Sequence, residues 1–231
     1  MGTIDVFMRR IIDYAGMFPP ASLSFEEAAK NFIEYKSHPH ADFLGAFVAP
    51  AACLAGTTLS PTAALLDGEE KHSEGRTFIE LNWREPYEAR MDTISRESFG
   101  VKLRTGGLRA DAVPPSSAIA DFLLAAAVRK LPMKATAGLH VPVPSQEMHG
   151  FLNVFGAGFL AYTGRGDRDA LVHVLDDFGY DDFRFSEDSM KVGDVEFSRS
   201  EVEELRTRWL LSFGSCSFLE PIEHLERHGL I

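Results

Sequence analysis

Cysteine is scarce in this chain. Cys53 and Cys216 are the only two thiols in 231 residues, and they form no CxxC pair. One disulfide at most is available, and two free thiols in a cytoplasmic protein are the expectation. Positive charge is also short, with 23 Lys and Arg against 34 Asp and Glu, a formal net charge of −11. A general nucleic-acid binder needs the opposite surplus to displace counterions. Long apolar runs are missing, because "FLGAFVAPAACLAG" and "SSAIADFLLAAAV" are too short or too interrupted to span a bilayer. The opening "MGTIDVFMRRIIDYAG" lacks a basic start, an apolar run and a cleavage site, so no secretion signal is expected. P-loop, GxGxxG after a strand, GxSxG and HExxH motifs are all absent, and no cofactor or resident metal is expected.

What remains is globular composition, 45% apolar and 25% charged. "SFEEAAKNFIEYK" opens a helix with a capping box from Ser24 to Glu27 and a staple from Leu23 to Ala28. Strands are predicted at 43–49, 77–83, 99–107 and 133–139. Helices are predicted over "YEARMDTIS", "SSAIADFLLAAAVRKL" and the nearly all-apolar "MHGFLNVFGAGFLAYTG", which must be deeply buried. This βαβ alternation is the signature of a parallel sheet with helices outside. The last third is less regular. "FRFSEDSMKVGDVEF" reads as a hairpin, "SRSEVEELRTRWLL" as a helix with a second capping box from Ser198 to Glu201, and "EPIEHLERHGLI" as a closing helix. "SFGSCSF" between them reads as a last strand or a tight loop. The fold expected is a single α/β domain over 1–231, a TIM-barrel-like (β/α)8 architecture, incomplete or irregular in its C-terminal third. Base rates favour a homodimer.

Three successive strands share one pattern. Residues two apart on a strand face the same way, so Ile79 and Leu81 leave Glu80 and Asn82 on the other face. Val101 and Leu103 leave Lys102 and Arg104; Met133, Ala135 and Ala137 leave Lys134 and Thr136, with His140 in phase beyond. Strands buried on both faces are nearly all apolar. The polar row therefore lies either on an antiparallel sheet face in water or inside a barrel near the strand C-termini, where such folds keep their chemistry. In a barrel, three cations against one carboxylate call for an anionic substrate. Gly106 and Gly107 of "RTGG", with the glycine of "TAG", would let backbone N–H groups approach it. Crowding by other cations would lower the basicity of Lys134 toward that of an amine nucleophile.

Other residues carry two readings each. Asp13 and Tyr14, ahead of "MFPPASLS", lie either near the barrel mouth or in a rigid turn. His140 and His149 are candidates for acid–base work, or for a metal with Glu80 or Glu147, although their H-x8-H spacing matches no metal motif. "HPH" at 38–40 reads as a loop. Asn153, a lone amide in an apolar helix, bonds a neighbouring loop or faces ligand. Ser215 and Ser217 are candidate contacts of an anion-binding turn. Cys216 is a candidate nucleophile, although neither "SCS" nor any nearby histidine forms a protease or thiolase pattern.

"DYAGMFPPA", "VKLRTGG", "KATAGLH", "MHGFLNVF" and "FGSCSF" together resemble an uncharacterised bacterial protein family over most of the chain, which implies no function. "MKATAG" resembles the K-[ST]-[ST]-x-G strand of deoxyribose-phosphate aldolases, and that resemblance implies a Schiff-base lysine at Lys134 and an accessory one at Lys102. Here the Gly-Gly strand comes first, its spacing is one residue longer, and Ala135 replaces the usual hydroxyl residue. "KATAGLH" is similar to the "KTTPGLR" stretch of quinolinate phosphoribosyltransferases, which bind carboxylate and phosphate. The function expected is an aldolase-type lyase acting on a small phosphorylated or carboxylated carbonyl compound. In it Lys134, Lys102, Glu80 and His140 are catalytic, and Arg104, Thr136, Asn82, Asp13, Asn153, His149, Ser215 and the two glycines bind. A non-catalytic protein binding an anionic metabolite, or a phosphoribosyltransferase-like barrel, is the alternative.

Overall fold

The predicted alternation closes on itself. The computed structural model describes residues 2–107, 109–145 and 148–231; Glu147, a candidate ligand above, lies outside them. Among the described residues the strands are β1 (Ile12–Tyr14), β2 (Leu44–Pro50), β3 (Thr62–Leu66), β4 (Glu69–His72), β5 (Thr77–Leu81), β6 (Gly100–Arg104) and β7 (Met133–Thr136). They continue as β8 (Phe183–Phe185), β9 (Ser189–Val192), β10 (Val195–Ser198) and β11 (Leu210–Ser215). Eight of them form a closed barrel in the order β1-β11-β7-β6-β5-β4-β3-β2, and β8, β9 and β10 form a separate three-stranded sheet.

The helices are α1 (Thr3–Met8), α2 (Phe25–Tyr35), α3 (Ala51–Leu54), α4 (Glu88–Arg96), α5 (Ser116–Val128), α6 (Phe151–Thr163), α7 (Arg168–Asp177), α8 (Arg199–Arg208) and α9 (Leu219–Arg227). Both capping boxes form as predicted: the Ser24 and Ser198 hydroxyls accept from the Glu27 and Glu201 N–H groups. No helix among the described residues is long and apolar enough to cross a membrane.

The irregularity expected in the last third is there as an insertion: "FRFSEDSMKVGDVEF" makes three antiparallel strands, not two, outside the barrel. A second departure lies where none was expected. β4 runs antiparallel to both β3 and β5, so two hairpins replace a helical crossover in the first half of the barrel. The strands of the polar row are parallel neighbours in register, Glu80 beside Lys102 and Lys102 beside Lys134. Lys102 and Lys134 are buried inside the barrel, which overturns the alternative of a sheet face in water.

α6 is apolar all round because it is covered on all sides. Phe151 and Phe155 pack on Phe213 of β11, and Phe159 packs on Phe7 and Phe197. Gly156 sits against Phe183 and Val192 of the small sheet. The helix is thus the layer between barrel and insertion.

Arg206 on α8 anchors the other end of the barrel. Its buried guanidinium donates to the carbonyls of Phe7 (2.7 Å), Arg9 (3.2 Å), Leu211 (2.7 Å) and Leu210, and lies over the Phe155 ring. These carbonyls flank the starts of β1 and β11, where the chain closes the barrel. Arg206→Met keeps the stem and strands the buried carbonyls, and a loss of about 3 kcal/mol or more is expected. Urea denaturation followed by circular dichroism checks it; a loss below about 1 kcal/mol means that water replaces the guanidinium at no great cost.

Candidate functional site

A lysine placed mid-strand in a closed barrel has nowhere to send its charge except inward. Lys134 on β7 is 1% exposed, and its ammonium donates to Asp13 Oδ2 on β1 at 2.6 Å and to Glu70 Oε1 on β4. The network then spreads. Ser212 on β11 donates to Asp13 Oδ2 at 2.6 Å, and the Ala46 N–H on β2 donates to Asp13 Oδ1 at 2.7 Å. His72 Nε2 bonds Glu70 Oε1 at 2.8 Å, and Lys102 donates to Glu70 Oε2 at 3.2 Å. Lys102 also lies 3.1 Å from Glu80 Oε2, and Arg104 Nε donates to Glu80 Oε1 at 3.2 Å. A glycine makes room for one of these contacts, since a Cβ at Gly45 would stand 2.3 Å from Asp13 Oδ1.

This geometry corrects the charge balance expected from the polar row. Lys102, Arg104 and Lys134 face three carboxylates, Asp13, Glu70 and Glu80, not one. Cation crowding therefore does not set the basicity of Lys134. Burial opposes its charged form, but Asp13 and Glu70 outweigh burial and hold its pKa above the ordinary lysine value. Burial likewise opposes ionisation of Glu70, and Lys134, the His72 hydrogen bond and Lys102 together hold its carboxyl far below the usual range. Asp13, Glu70 and His72 bring ligand atoms within 4.8 Å of one another. Asp13 and Glu70 each already hold the Lys134 ammonium through one carboxylate oxygen, so as folded this cluster is built around an internal cation.

Above the network opens a cavity of about 1460 Å³ at the C-terminal ends of the barrel strands. Lys134, Lys102, Glu70 and Glu80 lie toward its floor; Arg104, Thr136, Gly106, Gly107, His140 and His149 line it higher up. Most of the polar row is thus brought together. Asn82 is not part of it: it lies past the end of β5, exposed, bonding Glu85 at 2.7 Å and accepting from the Arg84 N–H. Asn153 donates to the carbonyls of Val174 and Phe178, so it ties α6 to α7 and faces no ligand. Ser215 is buried behind His140, 3.3 Å from Nδ1, and the Ser217 hydroxyl accepts from the Glu220 N–H. Neither hydroxyl is an open anion contact. Tyr14 points outward, packed on Tyr35 and Phe47 and bonded to Asn31. His149 lines the wall with Nε2 bonded to the Pro114 carbonyl at 2.8 Å.

Gly106 and Gly138 also do something other than expected. A Cβ on either would stand 2.8 Å from the other's Cα; they let the β6 and β7 loops touch, and φ of +77° at Gly138 favours glycine there.

Cys216 lines the same cavity, and His140 reaches it from 76 residues away: Nε2 lies 3.8 Å from Sγ, and Nδ1 lies 2.9 Å from Glu220 Oε2. Burial favours the neutral ring, but Cys216 and Glu220 outweigh it and raise the His140 pKa.

The buried network makes a pH signature. Glu70, with its pKa depressed, adds stability above the unfolded value of about 4.3 and loses it as pH falls through the folded value. Lys134, with its pKa raised, adds stability below the unfolded value of about 10.4 and loses it as pH rises through the folded value. Urea midpoints against pH should therefore show a plateau falling at both ends. Glu70→Gln should cost about 3–5 kcal/mol on the plateau, because it leaves buried ammonium groups short of a partner, and should flatten the acid limb. An unchanged acid limb in that variant would mean that Glu70 is not the titrating group. No family model, curated protein or solved structure matches the chain, which leaves geometry and charge to say what this site can do.

Proposed function

We propose that the protein is an aldolase-type lyase acting on a small carbonyl compound that carries a phosphate or carboxylate, through an imine on Lys134. One observation carries this reading: a lysine nitrogen on the floor of a barrel-mouth cavity, held there by hydrogen bonds to two carboxylates. The ammonium gives up a proton to solvent, and the freed amine adds to the carbonyl carbon; the carbonyl oxygen leaves as water. The protonated imine draws electrons from the adjacent carbon–carbon bond. Glu80 accepts the proton of the departing fragment's hydroxyl, since His140 is already committed to Glu220 and Cys216. Arg104 is half exposed and engages Glu80 through Nε, which leaves its terminal nitrogens as donors for the substrate anion. Lys102 bridges Glu70 and Glu80 and keeps both carboxylates in place.

The closed charge balance supports a second reading, in which the same pocket holds an anionic metabolite and leaves it unchanged. The two readings differ in whether Lys134 reacts.

Borohydride trapping with a panel of phosphorylated aldehydes and keto acids should leave a reduced adduct that peptide mass spectrometry maps to Lys134. Because the carboxylates hold the ammonium protonated, trapping should rise about tenfold per pH unit below the lysine pKa. An adduct on another lysine, or none at any alkaline pH with any carbonyl, sinks the imine. A stabilising anion that is never turned over then establishes the binding reading.

A further inference from the structure

We propose that Cys216, His140 and Glu220 form a thiol–imidazole–carboxylate centre at the rim of the cavity, which accepts acyl groups from small activated esters or thioesters. The inference does not rest on imine chemistry at Lys134. Three separate parts of the barrel supply it: His140 follows β7, Cys216 follows β11 and Glu220 lies in the first turn of α9. A carboxylate can only accept, so Nδ1 carries the hydrogen toward Glu220 at 2.9 Å, and Nε2 presents its lone pair to Sγ at 3.8 Å. That is the order nucleophile, base and orienting group that activates a thiol.

The neighbouring serines hold the geometry. The Ser217 hydroxyl accepts from the Glu220 N–H at 3.1 Å and fixes the entry of α9, and Ser215 backs the imidazole at 3.3 Å. Cys216 is of intermediate exposure and lines the cavity together with Arg104 and Thr136, where a substrate can meet it. Cys53 on α3 is also a free thiol of intermediate exposure, but among the described residues no imidazole lies within bonding distance of it. It is the internal control.

The chemistry balances without a further reagent. The Cys216 proton passes to His140 Nε2 and the sulfur adds to the acyl carbon. The bond to the leaving oxygen or sulfur breaks, the leaving group takes the proton from His140, and the acyl group remains as a thioester on Cys216. Water then attacks that carbonyl, giving up its proton to His140, and the carboxylic acid and free thiol are regenerated. Cys216 and His140 are the catalytic residues of this step, and Glu220 is a positioning residue.

p-Nitrophenyl acetate is the probe, used on the full chain at neutral pH. A burst of nitrophenol approaching one per chain is expected, with the acetyl group mapped to Cys216 by peptide mass spectrometry. His140→Gln should slow acetylation about a hundredfold or more. Glu220→Gln, at a half-exposed position (44% side-chain exposure), should slow it roughly tenfold or more and shift the acid limb of its pH–rate profile to lower pH, because Glu220 helps to raise the His140 pKa. This surface variant keeps the proposal open to refutation if His140→Gln does not fold. Acetylation of Cys216 no faster than of Cys53, acetyl groups on lysines only, or an unchanged rate in both variants overturns the centre. A failure here leaves borohydride trapping at Lys134 unaffected, so the two readings fall separately.

Discussion

The barrel is organised around one nitrogen. The Lys134 ammonium joins β7 to β1 through Asp13 and to β4 through Glu70. From these carboxylates the network reaches β2 through the Ala46 N–H, β6 through Lys102, β11 through Ser212 and β5 through Glu80. Of the barrel strands only β3 takes no part among these bonds. A buried charge costs several kcal/mol unless it is paired and hydrogen-bonded. Each strand that supplies a partner is therefore held to the register that supplies it, because a slip of one residue turns the partner outward. This constraint accounts for the reversed strand as well. The β3–β4 hairpin brings Glu70 onto the inner face where a helical crossover would have spent many more residues.

How much of this the sequence disclosed follows from the periods involved. β5, β6 and β7 alternate cleanly, so their inner face was legible as Glu80, Lys102, Arg104, Lys134 and Thr136, and their parallel pairing followed from the helices between them. Glu70 was not legible. It sits in "DGEEKH", a polar hairpin strand of four residues whose charges look like a solvated turn, and only long-range pairing with β3 and β5 shows which carboxylate goes inward. Asp13 was visible as a residue but not as a strand residue, because β1 has only three residues and its alternation is too short to see. One signal existed: a net excess of interior cations in an acidic protein demands buried carboxylates, and "DGEE" was one of few segments able to provide one.

The thiol pairing failed to show for a different reason. Cys216 and His140 are 76 residues apart, separated by α6, α7, the small sheet and α8. Sequence reading finds catalytic pairs by local motif, whereas a barrel brings the ends of adjacent strands together whatever the loop between them contains. Here β7 and β11 are neighbours in the sheet, with Gly214 beside Thr136. Knowing that the insertion between them leaves the barrel would have placed His140 next to "SCS".

Floor and rim differ in kind as well as position. β11 ends at Ser215, and Cys216 follows it, four residues beyond the Ser212 that bonds Asp13 in the Lys134 network. The floor is buried and charge-balanced, and its carboxylates hold the lysine in its charged form. The rim is partly open, and its imidazole is oriented by a half-exposed glutamate. At the floor a charge is fixed by partners as buried as itself, whereas at the rim one partner stays in contact with solvent. Strand register sets the floor, whereas the segments that follow β7 and β11 set the rim.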